Sequence, residues 1–440
     1  MTNPSYSQLF GRALPFILAN CSVPLLGIVD TAVIGNTGSV DDLGAIALGS
    51  LIFAFIFFAF GFLRMSTTGF VAQAFGADAH DEIRAALGRA LLLGGLISLA
   101  LVLLQSAIVS TSLELFSAAE TVEETAASYL QIRLLGAPAT FASMAIFGTM
   151  IGLGQSRQLM FLQFFLSGIN MVLDYLFAAV LDYGAIGIAY GTVIAEWSTV
   201  ILSFALLYRG LKPAAEASEP FWPRDKIVDT GKLGAMLSAN RDIMIRTVLM
   251  LFCFGVFTNS GAAISTEMLA ANHILLQLIT FSAFFLDGFA YVTEAEVGSA
   301  LGAKNQSRFD NAIRRCSVLA VATAGVLALI ILLLGSQIVN LLANDALVVS
   351  TTLTYLPYCS LYILLSVAAF QLDGVFIGAI RGADMRNASI LAVSAFLALW
   401  WLLSGGENPE GLWISFIAYV ALRAAALSLF YPRLRASVLV

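Results

Sequence analysis

Charged side chains are scarce in this sequence of 440 residues, of which only 11% are Asp, Glu, Lys or Arg and 59% are hydrophobic. A soluble domain of this size cannot cover that much apolar surface, because the surface of a folded chain in water demands more polar residues. The composition therefore excludes an ordinary soluble protein and indicates that the lipid bilayer surrounds the chain. The net charge of −6 does not indicate a nucleic-acid partner, and we expect none.

Histidine is also rare, since the chain contains only His80 and His273. Two isolated histidines exclude an HExxH site and any paired-histidine metal centre, and the sequence has neither a P-loop nor a nucleophile elbow. We therefore expect a protein that is not an enzyme, uses no ATP and holds no metal or cofactor. The cysteines form no CxxC pair and lie in apolar stretches, which predicts buried core residues: Cys21, Cys253, Cys316 and Cys359.

Long hydrophobic runs fill most of the chain. A transmembrane helix needs about 20 predominantly apolar residues, and division at the Gly, Asn, Asp and Pro clusters gives twelve such runs. The sequence therefore predicts an all-α polytopic membrane protein with twelve transmembrane helices. The predicted spans are 12–36, 43–76, 86–110, 125–151, 158–181, 184–208, 233–259, 266–302, 312–342, 351–380, 387–405 and 411–432.

Lys and Arg are concentrated in alternate loops between these runs. The intervening loops contain neither residue and carry Asp and Glu instead. Because Lys and Arg favour cytoplasmic loops, this alternation predicts an even number of spans with both termini in the cytoplasm. The basic loops are 77–85, 152–157, 209–232, 303–311 and 381–386.

The two halves of the sequence resemble each other. Residues 43–77 align without gaps on 269–303, an offset of 226, and Gly184 aligns with Gly411 at an offset of 227. Such a sustained offset indicates duplication, and six spans in each half make the copies a parallel repeat. We predict a lobe of residues 1–208, a cytoplasmic linker of 209–232 with three prolines, and a lobe of 233–440.

Polar side chains inside the spans are the candidate functional residues, because an ionised group in a span costs about 2.5–3.5 kcal/mol. Asp30 lies in the first span, Asp174 in the fifth and Thr192 in the sixth, and Asn170 precedes Asp174 by one helical turn. Counted from the span ends at 1.5 Å per residue, Asp30, Asp174 and Thr192 lie about 9–12 Å below the outer surface, and Asn170 lies one turn from Asp174 on the same helical face. The count places no Lys or Arg at that depth, so we predict one site with an excess of acid.

Asp30 and Asp174 cannot both ionise cheaply in a low-dielectric pocket, so the pair titrates as a unit and is able to bind a proton near neutral pH. Oxygen ligands also suit a hard cation such as Na⁺. The alternative, which is strongest for Asn170 and Thr192, is that these side chains only tie helices together by hydrogen bonds. Both interpretations stay open from the sequence.

Further residues are secondary candidates. Pro15 lies in the first span and removes a helical hydrogen bond, so it predicts either a bending element or a static kink. Asp287, in the middle of the eighth span, is the best candidate for a second proton or substrate site. His273 is either a satisfied interface residue or a pH-sensitive group. We expect the other second-half charges to pair with one another: Arg241, Asp242, Arg246, Glu294, Glu296 and Asp373.

At these residues the sequence resembles the multidrug and toxic compound extrusion (MATE) family, and within it the DinF-like branch. The resemblance covers nearly the whole chain. Its marks are VDTAVIGNTGS after Pro15, the Asn170/Asp174 pair, LDGFAYVTEAEVGSALGAKN in the eighth span and FQLDGVFIGAIRGADMRN at the tenth. It implies two six-helix lobes in a V shape, alternating access, and export of amphipathic, often cationic compounds in exchange for H⁺ or Na⁺.

The resemblance also implies residue roles. Asp30 takes the role of the protonated acid of the first helix, and Asn170, Asp174 and Thr192 take supporting roles at the cation site. Pro15 matches the proline at which family members bend this helix. The acids that the NorM-like branch carries in its second lobe are not evident here, which favours coupling through the first lobe.

These observations predict a monomeric transporter that exports small amphipathic or cationic molecules in exchange for a cation, with H⁺ favoured over Na⁺. A flippase for lipid-linked precursors from the same superfamily is one alternative, but it would be expected to have a basic cavity. A polytopic membrane enzyme is another, but it would need a nucleophile or metal set that the sequence does not show. The substrate cannot be read from the sequence.

Overall fold

The computed structural model describes residues 4–114, 119–212, 220–403 and 408–439. Residues 213–219 of the predicted linker therefore lie outside the described residues. Apart from short connections, the described chain is helical. Its α-helices are α1 (Tyr6–Thr37), α2 (Val40–Ala59), α3 (Phe62–Gly76), α4 (His80–Leu103), α5 (Gln105–Glu114), α6 (Glu120–Leu135), α7 (Ala137–Gly152), α8 (Ser156–Asp174), α9 (Gly184–Leu211), α10 (Arg224–Ile227), α11 (Thr230–Ile264), α12 (Thr266–Gly302), α13 (Gln306–Leu342), α14 (Ala346–Gly378), α15 (Gly382–Leu403) and α16 (Pro409–Ala436).

The helices begin at short polar segments that supply caps. Ser39 and Asp42 form a capping box at the start of α2, in which each side chain bonds the other's backbone N–H. Asn305 and Asp345 accept backbone N–H groups at the starts of α13 and α14. These caps occupy N–H groups that have no partner within the helix, which explains why polar residues between apolar runs mark the helix boundaries.

The number of spans agrees with the prediction. Eleven single segments among the described residues are long and apolar enough to cross a membrane, and α6 with α7 forms a twelfth that is bent by 48°. The bend falls at Gly136, and Pro138 lies in the first turn of α7. Proline removes a backbone donor and is tolerated in a first turn, which explains the break between two short helices. The chain is a multi-pass membrane protein.

The chain forms two compact units, one of Leu18–Ala235 and one of Met1–Ile17 with Met236–Val440. We call them the N-terminal unit and the C-terminal unit. The division falls inside α1, whose first turns pack with the second half of the chain. A Cβ added to Gly288 would lie 3.2 Å from the carbonyl oxygen of Ala13, so α12 approaches this part of α1 closely. The predicted lobes, 1–208 and 233–440, and the linker at 209–232 stay a prediction.

In the N-terminal unit, glycines allow close helix packing. A Cβ on Gly148 of α7 would lie 2.5 Å from the carbonyl oxygen of Arg64 on α3, so only glycine permits this approach. The core of the C-terminal unit is aromatic instead. Phe257 and Phe416 stack with ring centroids 4.2 Å apart, and Tyr362 stacks on Phe416 at 4.8 Å. Three of the four cysteines are buried as predicted, whereas Cys21 is partly exposed.

The described part of the segment before α11 folds back on the N-terminal unit. Lys226 lies 3.1 Å from the carboxylate of Asp81 in the first turn of α4, and Lys232 pairs with Glu82 in the same turn. The side chain of Ile227 lies so close to Gly88 that an added Cβ would be 2.7 Å from it. Acidic residues in a first turn are favourable because they face the positive end of the helix dipole. Two ion pairs and an apolar contact therefore hold this segment on α4.

Candidate cation-coupling site

The four predicted site residues lie in the N-terminal unit, on three helices. Asp30 is on α1, Asn170 and Asp174 are on the last turns of α8, and Thr192 is on α9. The Asn170 side-chain amide donates to Thr192 Oγ1 at 3.1 Å, and that hydroxyl donates to the Ile188 carbonyl at 2.9 Å. The first bond ties α8 to α9, which is the contact expected of a structural pair, and the second lies within α9. A role of Asn170 and Thr192 in binding a cation stays a prediction.

The carboxyl groups of Asp30 and Asp174 lie close enough to interact electrostatically. Asp174 is fully buried, and neither of its carboxyl oxygens has a hydrogen-bond partner of normal geometry. Asp30 Oδ1 is also buried and without such a partner. Buried carboxyl oxygens without donors are costly, and they are the atoms that a proton or a cation would satisfy.

Two backbone features determine where the carboxyl group of Asp174 lies. A π-helical turn, Tyr175–Val180, directly follows Asp174 and ends α8. Such turns are rare and are frequent at functional sites. On the facing helix, Gly191 leaves the space that Asp174 fills, because a Cβ there would overlap Asp174 Oδ1. The carboxyl group therefore lies against the backbone of α9.

Arg133 on α6 adds a cation that the sequence analysis missed. Its guanidinium interacts electrostatically with both Asp30 and Asp174, so the prediction that no Lys or Arg lies at their depth to neutralise the acids is wrong. Depth was counted along the backbone, whereas an arginine side chain carries its charge several ångströms from its helix. Arg133 is buried and lies 4.1 Å above the ring of Phe53, a cation–π contact.

Glu196 on α9 is the ionic partner of Arg133, whose Nη1 donates to Glu196 Oε1 at 3.0 Å. Thr140 donates to the other Glu196 oxygen at 2.9 Å, so both carboxylate oxygens are occupied. Glu196 was not among the predicted site residues. A signal existed, because Glu196 follows Thr192 by four residues and so lies on the same face of the helix.

The cluster contains three carboxyl groups, those of Asp30, Asp174 and Glu196, and one guanidinium, that of Arg133. Because Glu196 neutralises Arg133, the Asp30/Asp174 pair is the part of the cluster that is free to gain or lose a positive charge. Among the described residues, no group of three or more His, Cys, Asp or Glu side chains is arranged to hold a metal ion. The geometry suits binding of one proton or one monovalent cation.

The secondary candidates lie in the C-terminal unit and do not form one site. Pro15 is buried in α1, which continues as a helix on both sides of it. His273 is exposed and shares a hydrogen bond of 3.0 Å with Gln277 one turn later. Asp287 is on the same helix as His273 but 14 residues further, about 21 Å along the axis. The roles proposed for Pro15, Asp287 and His273 stay predictions.

Part of the pairing expected among the second-half charges is present, since Arg246 pairs with Asp373 and Arg241 with Asp242. Asp242 and Glu296 also pair with arginines outside the expected set. Arg386 donates to Asp242 at 2.8 Å, and Arg308 donates to Glu296 at 3.0 Å. Asp373 accepts from Arg246. Pairing of this kind offsets much of the cost of burying charge inside a membrane protein.

Comparison with known proteins identifies the family. The MatE family model matches residues 15–176 and 243–402, once in each half of the chain. The chain belongs to the MatE family. The two matched ranges also agree with the internal duplication. The family consists of transporters, so this protein is a membrane transporter and not an enzyme, and it acts on small molecules.

Individual relatives support this assignment. The chain is 35% identical to DNA damage-inducible protein F of Escherichia coli (strain K12), over 98% of this chain and 92% of the relative. It is 27% identical to the probable multidrug resistance protein NorM of Geobacillus kaustophilus (strain HTA426), over 99% and 95% of the two chains. The fold matches a solved structure described as the outward-facing conformation of a multidrug resistance MATE family transporter. That match has a TM-score of 0.86 at 17% identity and covers 99% of this chain and 97% of the other.

Proposed function

We propose that this MATE transporter is an antiporter that exports small amphipathic or cationic organic compounds in exchange for H⁺. The observation that carries the proposal is the Asp30/Asp174 pair of the N-terminal unit. Asp30 Oδ1 and both carboxyl oxygens of Asp174 are buried without a hydrogen-bond partner of normal geometry, and the cation that interacts with the pair, Arg133, is already paired with Glu196.

Electrostatics supports one shared proton. With all groups ionised, the cluster of Asp30, Asp174, Glu196 and Arg133 would hold two excess negative charges in a region with little water. One proton on the Asp30/Asp174 pair removes one of these charges and lets one carboxyl group donate a hydrogen bond to the other. The positive charge of Arg133 limits the negative charge that remains. The Asp30/Asp174 pair can therefore change between its protonated and deprotonated states without unfolding the unit.

Coupling requires that the proton binds one conformation of the transporter more tightly than the other, since a ligand with equal affinity for both shifts nothing. In the proposed cycle, Asp30 takes a proton from the outside, the site repacks, substrate leaves outward, and the protein returns with the proton facing inward. A membrane potential of 100 mV adds about 2.3 kcal/mol for each charge that moves inward.

The proposed substrate class follows from the excess of acid and from the relatives. An acidic site attracts cations and repels anions of similar shape. One relative is named as a probable multidrug resistance protein, which fits a transporter with broad substrate tolerance. We further propose that the chain works as a monomer without ATP, in a bacterial inner membrane, with both termini in the cytoplasm.

Na⁺ coupling is the second candidate, because the bare carboxyl oxygens of Asp30 and Asp174 also suit a hard monovalent cation. A flippase for lipid-linked precursors would instead need a basic substrate site. Transport of a cationic compound that follows a pH gradient, at constant Na⁺, would separate the proposed antiporter from both.

The test is transport in proteoliposomes with a fluorescent cationic dye and imposed H⁺ or Na⁺ gradients. We expect transport by the wild type to follow the pH gradient and to be lost in Asp30→Asn, because the amide carries no exchangeable charge. Asp41→Asn is the matched control, since Asp41 is an exposed carboxylate in the first turn of α2 and should tolerate the change.

Dye transport that depends on the Na⁺ gradient alone would show that Na⁺, and not H⁺, is the coupling ion. Full transport by Asp30→Asn, or transport indifferent to both gradients, would refute coupling through Asp30 and favour the flippase.

A further inference from the structure

The C-terminal unit contains a second buried charge cluster, with the opposite excess of charge. Arg246 on α11 and Arg423 on α16 both donate to Oδ2 of Asp373 on α14, the latter at 2.5 Å. The three residues are 6%, 6% and 7% exposed. Arg246 and Arg423 lie near the middles of their helices, about 24 Å and 21 Å from the helix starts.

Two cations in this cluster share a single anion. Among the described residues, Asp373 is the only carboxylate that pairs with Arg246 or Arg423. Asp242 lies one turn before Arg246 on α11, but it accepts from Arg241 and Arg386 instead. A buried charge without a counterion costs several kcal/mol, even after the structure relaxes around it. The cluster therefore lacks one negative charge.

Unused hydrogen-bond donors lie at the same place. The Nε of Arg423 and the hydroxyl of Tyr419 are buried and make no hydrogen bond of normal geometry among the described residues. Tyr419 precedes Arg423 by one turn of α16, and the two side chains interact. Guanidinium and hydroxyl donors around an excess positive charge are the groups that bind carboxylates and phosphates.

The internal repeat shows that the two units carry opposite charges at equivalent positions. The offset of 227 that aligns Gly184 with Gly411 also aligns Glu196 with Arg423. The position that holds an acid in the N-terminal unit holds a base in the C-terminal unit. A site built on Arg423 therefore selects ligands of the opposite charge from those that the N-terminal cluster attracts.

We propose that Arg246, Arg423 and the hydroxyl of Tyr419 form a binding site for one monoanionic carboxylate or phosphate group on an apolar molecule. A monoanion brings the charge of the cluster with Asp373 to zero. The apolar part is expected because Tyr419 belongs to the aromatic core, in which Tyr362 stacks on Phe416. The anionic group comes either from a free organic anion or from a lipid head group. The site does not depend on the proton-coupling proposal, because it lies in the other unit.

The test is calorimetric binding of hexanoate and hexyl methyl phosphate, a monoanionic phosphodiester, to the purified full chain in an uncharged detergent, with hexylammonium as the probe of opposite charge. We expect saturable binding of the two anions and none of hexylammonium. Arg423→Gln should weaken anion binding at least tenfold, which corresponds to about 1.4 kcal/mol. Tyr419→Phe removes only a hydroxyl and should weaken it severalfold.

Thermal stability without ligand separates a ligand site from a structural ion cluster. Arg423→Gln leaves Arg246 and Asp373 as a balanced pair, so a ligand site predicts an unchanged or raised Tm. Arg435→Gln is the matched control, because Arg435 is an exposed arginine on the same helix that pairs with Asp310 at 2.7 Å. It should leave anion binding unchanged.

Four results would overturn the proposal. These are absence of saturable anion binding in the wild type, equal weakening by Arg435→Gln, unchanged binding in both Arg423→Gln and Tyr419→Phe, and a clearly lowered Tm of Arg423→Gln without ligand. The source of the anion is tested by measuring hexanoate binding to the protein in nanodiscs of phosphatidylcholine with or without the anionic lipid phosphatidylglycerol. Loss of hexanoate binding in the anionic bilayer assigns the site to a lipid head group, and unchanged binding assigns it to a free organic anion.

Discussion

Gly191 offers a way to move the Asp174 carboxyl group without removing its charge. A methyl group at this position of α9 would overlap Asp174 Oδ1, and it would also lie 3.1 Å from the Asp174 backbone nitrogen and 3.3 Å from the carbonyl carbon of Leu173. The backbone contacts need to yield by only a few tenths of an ångström, whereas the carboxyl oxygen must rotate away. Gly191→Ala should therefore displace the carboxyl group of Asp174 from its contact with α9.

The expected cost can be bounded. An extra methyl group in a packed interior typically destabilises by about 1–3 kcal/mol. Replacement of a helical glycine by alanine returns about 0.5–1 kcal/mol. Gly168→Ala on α8 is the matched control, because nothing lies within 4 Å of an added Cβ there. We expect Gly191→Ala to be less stable than Gly168→Ala by about 1–3 kcal/mol, the cost of the overlap alone.

The assay pairs thermal unfolding of the purified protein with dye transport driven by a pH gradient. Gly191→Ala should fold, because its worst overlap is with a side chain, but its transport should respond less steeply to the gradient. Gly168→Ala should match the wild type in transport. A Gly191→Ala protein with wild-type stability and an unchanged pH response would show that the position of the Asp174 carboxyl group does not matter for coupling.

Two further predictions concern buried packing and charge. Arg133→Gln leaves the partly buried carboxylate of Glu196 without its cation, so we expect the free energy of unfolding to fall by about 3 kcal/mol, the lower end of the range for a fully buried pair. Glu196→Gln in the same chain should restore part of this loss, and additive losses in the double variant would contradict the pairing. Gly374→Ala places a Cβ 2.7 Å from the carbonyl oxygen of Ala290 on α12, a backbone atom that cannot rotate away. It should lower Tm clearly, whereas Gly325→Ala, which meets nothing within 4 Å, should not.

The fold could be predicted from the sequence because its signals are local. Twelve apolar runs and the alternation of basic loops depend only on composition and on the bilayer. The bend at Gly136 was missed, since 125–151 was predicted as a single span without a break. Apolar content does not distinguish one long helix from two short ones that meet at a glycine.

The candidate site could be predicted only in part. Asp30 and Asp174 are found because an acid within a span is unusual wherever it occurs. Arg133 and Glu196 were not placed at the site, because their positions depend on which helix faces which, and this is a property of packing and not of depth. The interaction of Asn170 with Thr192 shows the same limit, since the sequence could not decide between a structural bond and a ligand role.

Glu196 and Arg423 show how far the two halves of this chain have diverged since the duplication. A chain built from two copies of either half would keep the helix count and the repeat, but it would carry the same charge at both equivalent positions. The halves are therefore no longer interchangeable building blocks. A search for the ancestral single-half protein would have to decide which of the two charges came first.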